Sequence, residues 1–270
     1  MTIEEMKKRI SEDSETKDLK LTTSDIFEVN RYLNLRGKDL DGYYVKLVTD
    51  PYIEIVYLPS QTILEKKKQD ALKKHLKVFD SEIYLQEASL DKFDAFNNER
   101  KHALKELNNF VNNYKTEVYE KGYYIYGKYG TGKTYLLSAV AHQLVKQDVD
   151  VLIVFMPDLV RSVRQGISDG SLEEKINQLK QVEVLMFDDI GGENMTAWFR
   201  DEVFLPILQY RLSASLTTFF SSNLTMKELV DNFSNNRSNE LDYVKAVRVI
   251  KRITNLAKYL KLDEEQFTNN

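Results

Sequence analysis

Residues 127–134 read G-K-Y-G-T-G-K-T, directly after the apolar run Tyr123-Tyr124-Ile125-Tyr126. A buried strand that runs into a glycine-rich turn and then a helix admits few folds. The chemistry of such a turn dictates its residue types. Gly127, Gly130 and Gly132, with Tyr129 and Thr131 between them, let backbone N–H groups close around phosphate oxygens; Lys133 reaches the β- and γ-phosphates, and the Thr134 hydroxyl ligates Mg²⁺. Residues 134–146 read as a helix, so its positive N-terminal dipole also faces the phosphates, with Tyr135 in its first turn. Chance produces this pattern in roughly one chain in a hundred of this length, and its place between strand and helix lowers that figure further. The expected ligands are ATP and Mg²⁺.

The segment after about residue 90 alternates short apolar strands with amphipathic helices. Strands are predicted at 123–126, 150–156, 182–187 and 216–222. Helices are predicted at 97–115, 134–146, 157–165 (with Pro157 at its start), 171–181, 197–212, 225–232 and 241–260. Strands of that kind imply a parallel sheet covered on both faces, an α/β nucleotide-binding core. Ahead of it, 22–35 has helical spacing with Thr23 or Ser24 as its cap, and 42–58 reads as a hairpin or as short strands, broken at Asp50-Pro51. Residues 61–76 read as a lysine-rich helix whose cluster Lys66, Lys67, Lys68, Lys73 and Lys74 serves as a solvated face or as a docking or nucleic-acid face. The expected organisation is an N-terminal domain over 1–80, a linker over 81–95 and the ATPase domain over 96–270. The N-terminal 80 residues make a marginal core without a partner.

The run Val184-Leu185-Met186-Phe187-Asp188-Asp189 is an apolar strand ending in two carboxylates. On a strand beside the phosphate loop, Asp188 is placed to hold Mg²⁺ and Asp189 to polarise the attacking water. Asp carries its carboxylate less far than the Glu more common at the second position, so hydrolysis should be slow. Asn223, at the tip of the fourth strand, either reads the γ-phosphate or caps the following helix. Arg248 and Arg252 stand four apart on one side of a late helix. In a monomer they are solvated; in a ring or filament one of them reaches a neighbour's γ-phosphate.

Composition narrows the class. Hydrophobic residues are 42% and charged residues 30%, ordinary for a soluble domain, and no apolar stretch approaches the roughly 18–20 residues needed to span a bilayer. The opening Met1-Thr2-Ile3-Glu4-Glu5 is acidic and polar, unlike a secretory leader, and the absence of cysteine fits a reducing cytoplasm; no membrane partner is expected. His75, His102 and His142 are too scattered for a metal site, so no zinc is expected. With a net charge of −4, any nucleic-acid contact must be local.

Taken together, G-K-Y-G-T-G-K-T (127–134), V-L-M-F-D-D-I-G-G-E (184–193), S-S-N (221–223), the pair Arg248 and Arg252, and A-S-L-D-K-F (88–93) resemble the bacterial DnaI-type helicase loaders, relatives of DnaC and of the transposition helper IstB. The likeness covers about two-thirds of the chain. It implies an AAA+ core with a parallel five-stranded sheet of order 5-1-4-3-2 and no separate lid, beside a small α+β or mainly helical N-terminal domain. The partners it implies are a hexameric replicative helicase, single-stranded DNA and further copies of the chain. Phe93 would lie against the adenine, Arg252 is the first choice for the arginine finger, and Arg248 the second. Residues 157–181 would be the insert that helps line a channel for single-stranded DNA. Arg161 and Arg164 would contact phosphates there, while Thr196 and Trp198 fall where relatives place DNA-contacting groups; Trp198 reads equally well as core. Many DnaI proteins carry a cysteine-ligated zinc in their N-terminal domain, which this chain cannot do. An IstB-like transposition helper is the alternative within the group, and a small P-loop phosphotransferase the alternative outside it.

Overall fold

Two threonines start the first two helices. Thr2 caps α1 (Ile3–Glu12) and Thr22 caps α2 (Thr23–Leu35), each in a reciprocal capping box with an acid three residues on, Glu5 and Asp25. Thr22 therefore replaces Thr23 or Ser24 as the cap: only at that position does the hydroxyl meet the free Asp25 N–H. Strands β1 (Tyr43–Val48) and β2 (Glu54–Pro59) pair as an antiparallel hairpin across the Asp50-Pro51 break. Val45 and Leu47 pack with Ile10, Ile26, Val29 and Tyr32 in a small core. The computed structural model describes residues 1–50, 52–64, 66, 75–79, 87–192, 195–234 and 240–262. The chain divides into two units, Met1–Asp70 and Ala71–Asn270. Of the expected lysine-rich helix over 61–76, only 61–64, 66, 75 and 76 are described; Lys67, Lys68, Lys73 and Lys74 lie outside the described residues.

The second unit holds β3 (Leu76–Phe79), α3 (Asn98–Asn113), β4 (Gly122–Gly127), α4 (Lys133–Val145), β5 (Val151–Phe155), α5 (Met156–Asp169), α6 (Leu172–Gln181) and β6 (Val184–Asp188). A π-helical turn (Phe199–Phe204) then leads into α7 (Leu205–Ser213), β7 (Thr217–Ser222), α8 (Met226–Phe233), α9 (Glu240–Leu256) and β8 (Ala257–Leu262). The sheet order is β3-β5-β6-β7-β4-β8, with every neighbouring pair parallel. Numbered from β4, the five core strands follow the expected 5-1-4-3-2. β3 adds a sixth strand beside β5 that was not expected; it begins at Leu76, the last residue of the expected lysine-rich helix, and runs on to Phe79. Among the described residues no helix is long and apolar enough to cross a membrane.

The strand β8 corrects the expected helix over 241–260. That helix ends at Leu256, and the next six residues pair one-to-one with β4, from Gly122↔Ala257 to Gly127↔Leu262. Without β8 that edge of β4 would leave a row of backbone N–H and C=O groups unpaired beside the core. Tyr259 reinforces the pairing by stacking on Tyr124 and Tyr126, at 5.9 and 5.8 Å between centroids.

Successive side chains of each central strand enter opposite layers. Tyr124, Leu185 and Phe187 join the core under α5–α9, whereas Ile125, Val184 and Met186 join the one under α3 and α4. Arg211 is one of several cations buried among these layers. The Arg211 guanidinium, wholly inaccessible, donates to the carbonyls of Leu179, Lys180, Val182, Glu183 and Thr217 and to Thr218 Oγ1, at 2.6–3.2 Å. It ties the end of α6 to the starts of β6 and β7. Substituting Arg211→Met would orphan these acceptors and should cost about 3 kcal/mol of unfolding free energy, read as a lower urea midpoint at unchanged slope. A loss under about 1 kcal/mol contradicts this role.

Candidate nucleotide site

The phosphate loop joins the end of β4 to the start of α4. Gly130 and Gly132 take φ of 78° and 92°, where a side chain would be strained. Gly132 is the N-cap of α4, and a Cβ there would stand 3.1 Å from Phe93 Cε2. Lys133 is buried; its Nζ donates to the carbonyls of Gly127 (2.9 Å) and Lys128 (2.8 Å) and to Asn223 Oδ1 (2.5 Å). Burial lowers its pKa, opposed by the charges of Asp189 and Asp188. Thr131 Oγ1 closes the turn by donating to the Lys128 carbonyl, and Tyr129 projects from its tip, 85% exposed.

Strand β6 delivers Asp188 beside this loop. The Thr134 hydroxyl donates to Asp188 Oδ2 at 2.8 Å and the Ser221 hydroxyl to Oδ1, while Ser221 Oγ accepts from the Asp189 N–H. Asp189 adopts φ of 60°, a left-handed backbone that costs about 1 kcal/mol or more in a non-glycine residue and is common at functional turns. Asn223 Nδ2 donates to Asp189 Oδ1 at 3.3 Å, so this one amide links Lys133 to the second carboxylate. Of its two sequence readings the capping role falls away, because Thr225 caps α8 in a box with Glu228. The Thr134 and Asp188 oxygens suit Mg²⁺, which takes one or two protein oxygens and completes its shell with phosphate and water.

The Phe93 ring is buried, 6.0 Å from the Tyr135 ring. Tyr135 Oη meets both the backbone N–H and the carbonyl of Ser89 at 3.1 Å, and His142 Nδ1 lies 2.7 Å from the Ala88 carbonyl. Residues 88–93 are thereby fastened to α4. The other predicted residues stand apart from the cradle. Arg252 donates through Nε to Gln209 Oε1, and Arg248 is exposed with no hydrogen bond or ion pair among the described residues. Arg161 is exposed and paired with Asp158, and Arg164 is exposed. Thr196 Oγ1 accepts from the Phe199 N–H as a helix cap. Trp198 is 44% exposed, which places its indole outside the core.

Sequence reasoning gave no role to Ser221, although its hydroxyl orients Asp188. It also missed Arg100 and Arg200, both wholly buried. Arg200 binds Asp201, Asp242 and the Phe233 carbonyl, joining the π-helical turn to α8 and α9. Charged residues on amphipathic helices carry no sequence mark of burial.

Burial pushes the Asp188 carboxyl above its ordinary pKa against the pull of Ser221 and Thr134; burial also raises Asp189, followed by the neighbouring Asp188 charge. The folded chain thus holds these protons more tightly than the unfolded chain, so stability falls as pH climbs through the raised values. Asp188→Asn should therefore raise the nucleotide-free melting temperature at pH 7 by about 2–4 °C, the shift expected of roughly 1 kcal/mol in a domain of this size. The gain should shrink toward pH 4. An unchanged or lower melting temperature contradicts the assignment.

Residues 68–265 match the family of IstB-like ATP-binding proteins. Over 231 residues the chain is 38% identical to the replicative helicase loader DnaI of Bacillus subtilis, covering 84% of this chain and 73% of that protein. A crystal structure of DnaI superposes with a TM-score of 0.63 at 36% identity, over 70% of this chain and 95% of that one. The AMPPCP-bound DnaA of Aquifex aeolicus shares the fold at 19% identity, with a TM-score of 0.55 over 67% of this chain and 51% of DnaA. A glycine cradle, a buried lysine and paired carboxylates on a 5-1-4-3-2 core thus sit in a sequence related to DnaI over most of its length: the chain belongs to the IstB-like ATP-binding family, as a DnaI-type member of its AAA+ helicase-loader group.

Proposed function

We propose that this chain is an ATP-dependent loader that delivers a hexameric replicative helicase onto single-stranded DNA. The observation that carries this reading is the 38% identity to a helicase loader across 84% of the chain, in a protein whose triphosphate cradle is complete. The N-terminal region, 1–80 in the sequence reading, grips the helicase. Its exposed Phe27, Tyr44, Tyr52 and Tyr57 are the kind of aromatic surface that protein partners bury. Residues 88–93, within the expected linker, line the base side of the nucleotide, and the domain expected over 96–270 binds and hydrolyses ATP.

At the cradle, Lys133 exchanges its carbonyl acceptors for β- and γ-phosphate oxygens. Thr134 and Asp188 hold Mg²⁺, which when bound neutralises charge on those phosphates. Asp189 polarises the attacking water and Asn223 keeps that carboxylate and Lys133 in register. Hydrolysis is slow, because the short Asp189 side chain is already tethered by Asn223. ATP acts as a switch, and an arginine of the adjacent copy, Arg252 first and Arg248 second, completes the site. The absence of any partner for Arg248 among the described residues supports a role outside its own chain. Arg161, Arg164 and Thr196 contact the single strand, and the exposed Trp198 indole stacks on a base, an interaction of about 1–3 kcal/mol. The protein works in the cytoplasm, at the replication fork.

Size-exclusion chromatography with light scattering tests this directly. Full-length chain mixed with its host's hexameric helicase should co-elute in an ATP-dependent complex. The Arg248→Ala/Arg252→Ala variant should bind ATP normally yet lose at least 10³-fold in partner-stimulated hydrolysis. Binding to duplex DNA with no affinity for the helicase would instead favour a transposition helper of the IstB kind.

A further inference from the structure

Arg100, on the first turn of α3, is wholly inaccessible to solvent and makes no ion pair among the described residues, although the nearby Asp94 charge favours its cation. Its guanidinium lies over the Phe93 ring at 4.2 Å and the Phe96 ring at 4.8 Å. Nε donates to the Asp94 carbonyl at 2.5 Å and Nη1 to the Thr131 carbonyl, inside the phosphate loop, at 2.7 Å. Nη2 is the one buried side-chain polar atom among the described residues without a hydrogen-bond partner; it stands 3.9 Å from where a Cβ on Gly132 would be. Burying a cation this way is expensive unless the surroundings fix it, and here two aromatic faces, two carbonyls and the nearby Asp94 charge do so.

The position of the Thr131 carbonyl matters because a trans peptide points its C=O and N–H to opposite sides. With Thr131 O held by Arg100, the Gly132 N–H must face away from Arg100. That N–H donates to no group among the described residues. A phosphate cradle works through such amides, and glycine at 132 lacks the side chain that would otherwise limit how this peptide turns. We infer that Arg100 is a positioning residue of the phosphate cradle: its hydrogen bond to Thr131 aims the Gly132 amide at the nucleotide's phosphates, and its contacts with Phe93 and Asp94 tie that orientation to the base-side segment. This rests on the nucleotide site already described and assigns it a residue outside the phosphate loop and the carboxylate pair.

The test is calorimetric titration of the full chain with MgATP and with inorganic tripolyphosphate, which has no base. Arg100→Met should weaken both ligands about ten-fold, with a raised KM for ATP and kcat within two-fold, at an apo melting temperature close to wild type. Arg100→Lys, which restores a single donor, should recover part of the loss. A folded Arg100→Met variant that binds tripolyphosphate within two-fold of wild type overturns the inference. If that variant does not fold, Phe96→Ala decides, since it strips a half-exposed ring from one face of the guanidinium. It should weaken tripolyphosphate about three-fold, and unchanged affinity overturns the inference. A wild-type chain that binds neither ligand defeats the nucleotide site itself, which distinguishes the two failures.

Discussion

The register of three parallel strands is the constraint from which the site follows. Tyr126 pairs with Ser222 on β7, and Phe187 on β6 pairs with Phe220. That alignment brings Lys133, Asp188 and Asn223 out at the same edge of the sheet, within single hydrogen bonds of one another's partners. A slip of one residue in β6 would send Phe187 to the opposite face and turn Asp188 away from Thr134. The register is secured by layers that cannot be exchanged. Tyr124, Leu185 and Phe187 fill one core, while Ile125, Val184 and Met186 fill the other. The geometry of the cradle is therefore a consequence of packing well away from it.

The site is held together at a cost to the fold. Two carboxylates and a lysine lie partly or wholly out of water, and Asp189 adds a left-handed backbone. Ser221 and Thr134 offset part of the penalty at Asp188, and Asn223 bridges the remaining pair. A network of this kind is worth retaining only if a ligand brings the compensating charges, and a magnesium-bound triphosphate does so. Two of the buried arginines, Arg211 and Arg100, repeat the logic with neutral hydrogen-bond acceptors, whereas Arg200 is paired with Asp201 and Asp242. Arg211 is satisfied almost wholly by carbonyls and has a structural role, whereas Arg100 spends one of its bonds on the phosphate loop.

Much of this was legible from residues alone. The glycine spacing of 127–134 marked the cradle, the apolar run into Asp188 and Asp189 marked the neighbouring strand, and the alternation of strands with helices fixed the parallel sheet. The missed elements share a cause. β8 reads A-K-Y-L-K-L, compatible with continuing α9, and becomes a strand only because the edge of β4 demands hydrogen bonds. β3 starts where the expected lysine-rich helix over 61–76 ends, and its pairing with β5 is a long-range contact that no local pattern encodes. The caps differed in the same way: Thr22 took the capping position from Thr23 and Ser24, neighbours of similar propensity. Arg100, Arg200 and Arg211 look like surface charges until the partners arrive from distant segments. Local chemistry was readable; what depended on tertiary pairing was not.

The proposed sharing of each nucleotide between two copies is the claim with the widest consequences, and subunit mixing tests it most directly. Lys133→Ala abolishes the cradle but leaves the arginines, whereas Arg248→Ala/Arg252→Ala does the reverse. Each variant alone should be inactive in ATP hydrolysis with helicase and single-stranded DNA present. Combined in equal amounts, they should regain activity at roughly a quarter of their interfaces, as random head-to-tail pairing gives. A mixture no more active than its parts would contradict the account, since each chain would then have to complete its own site.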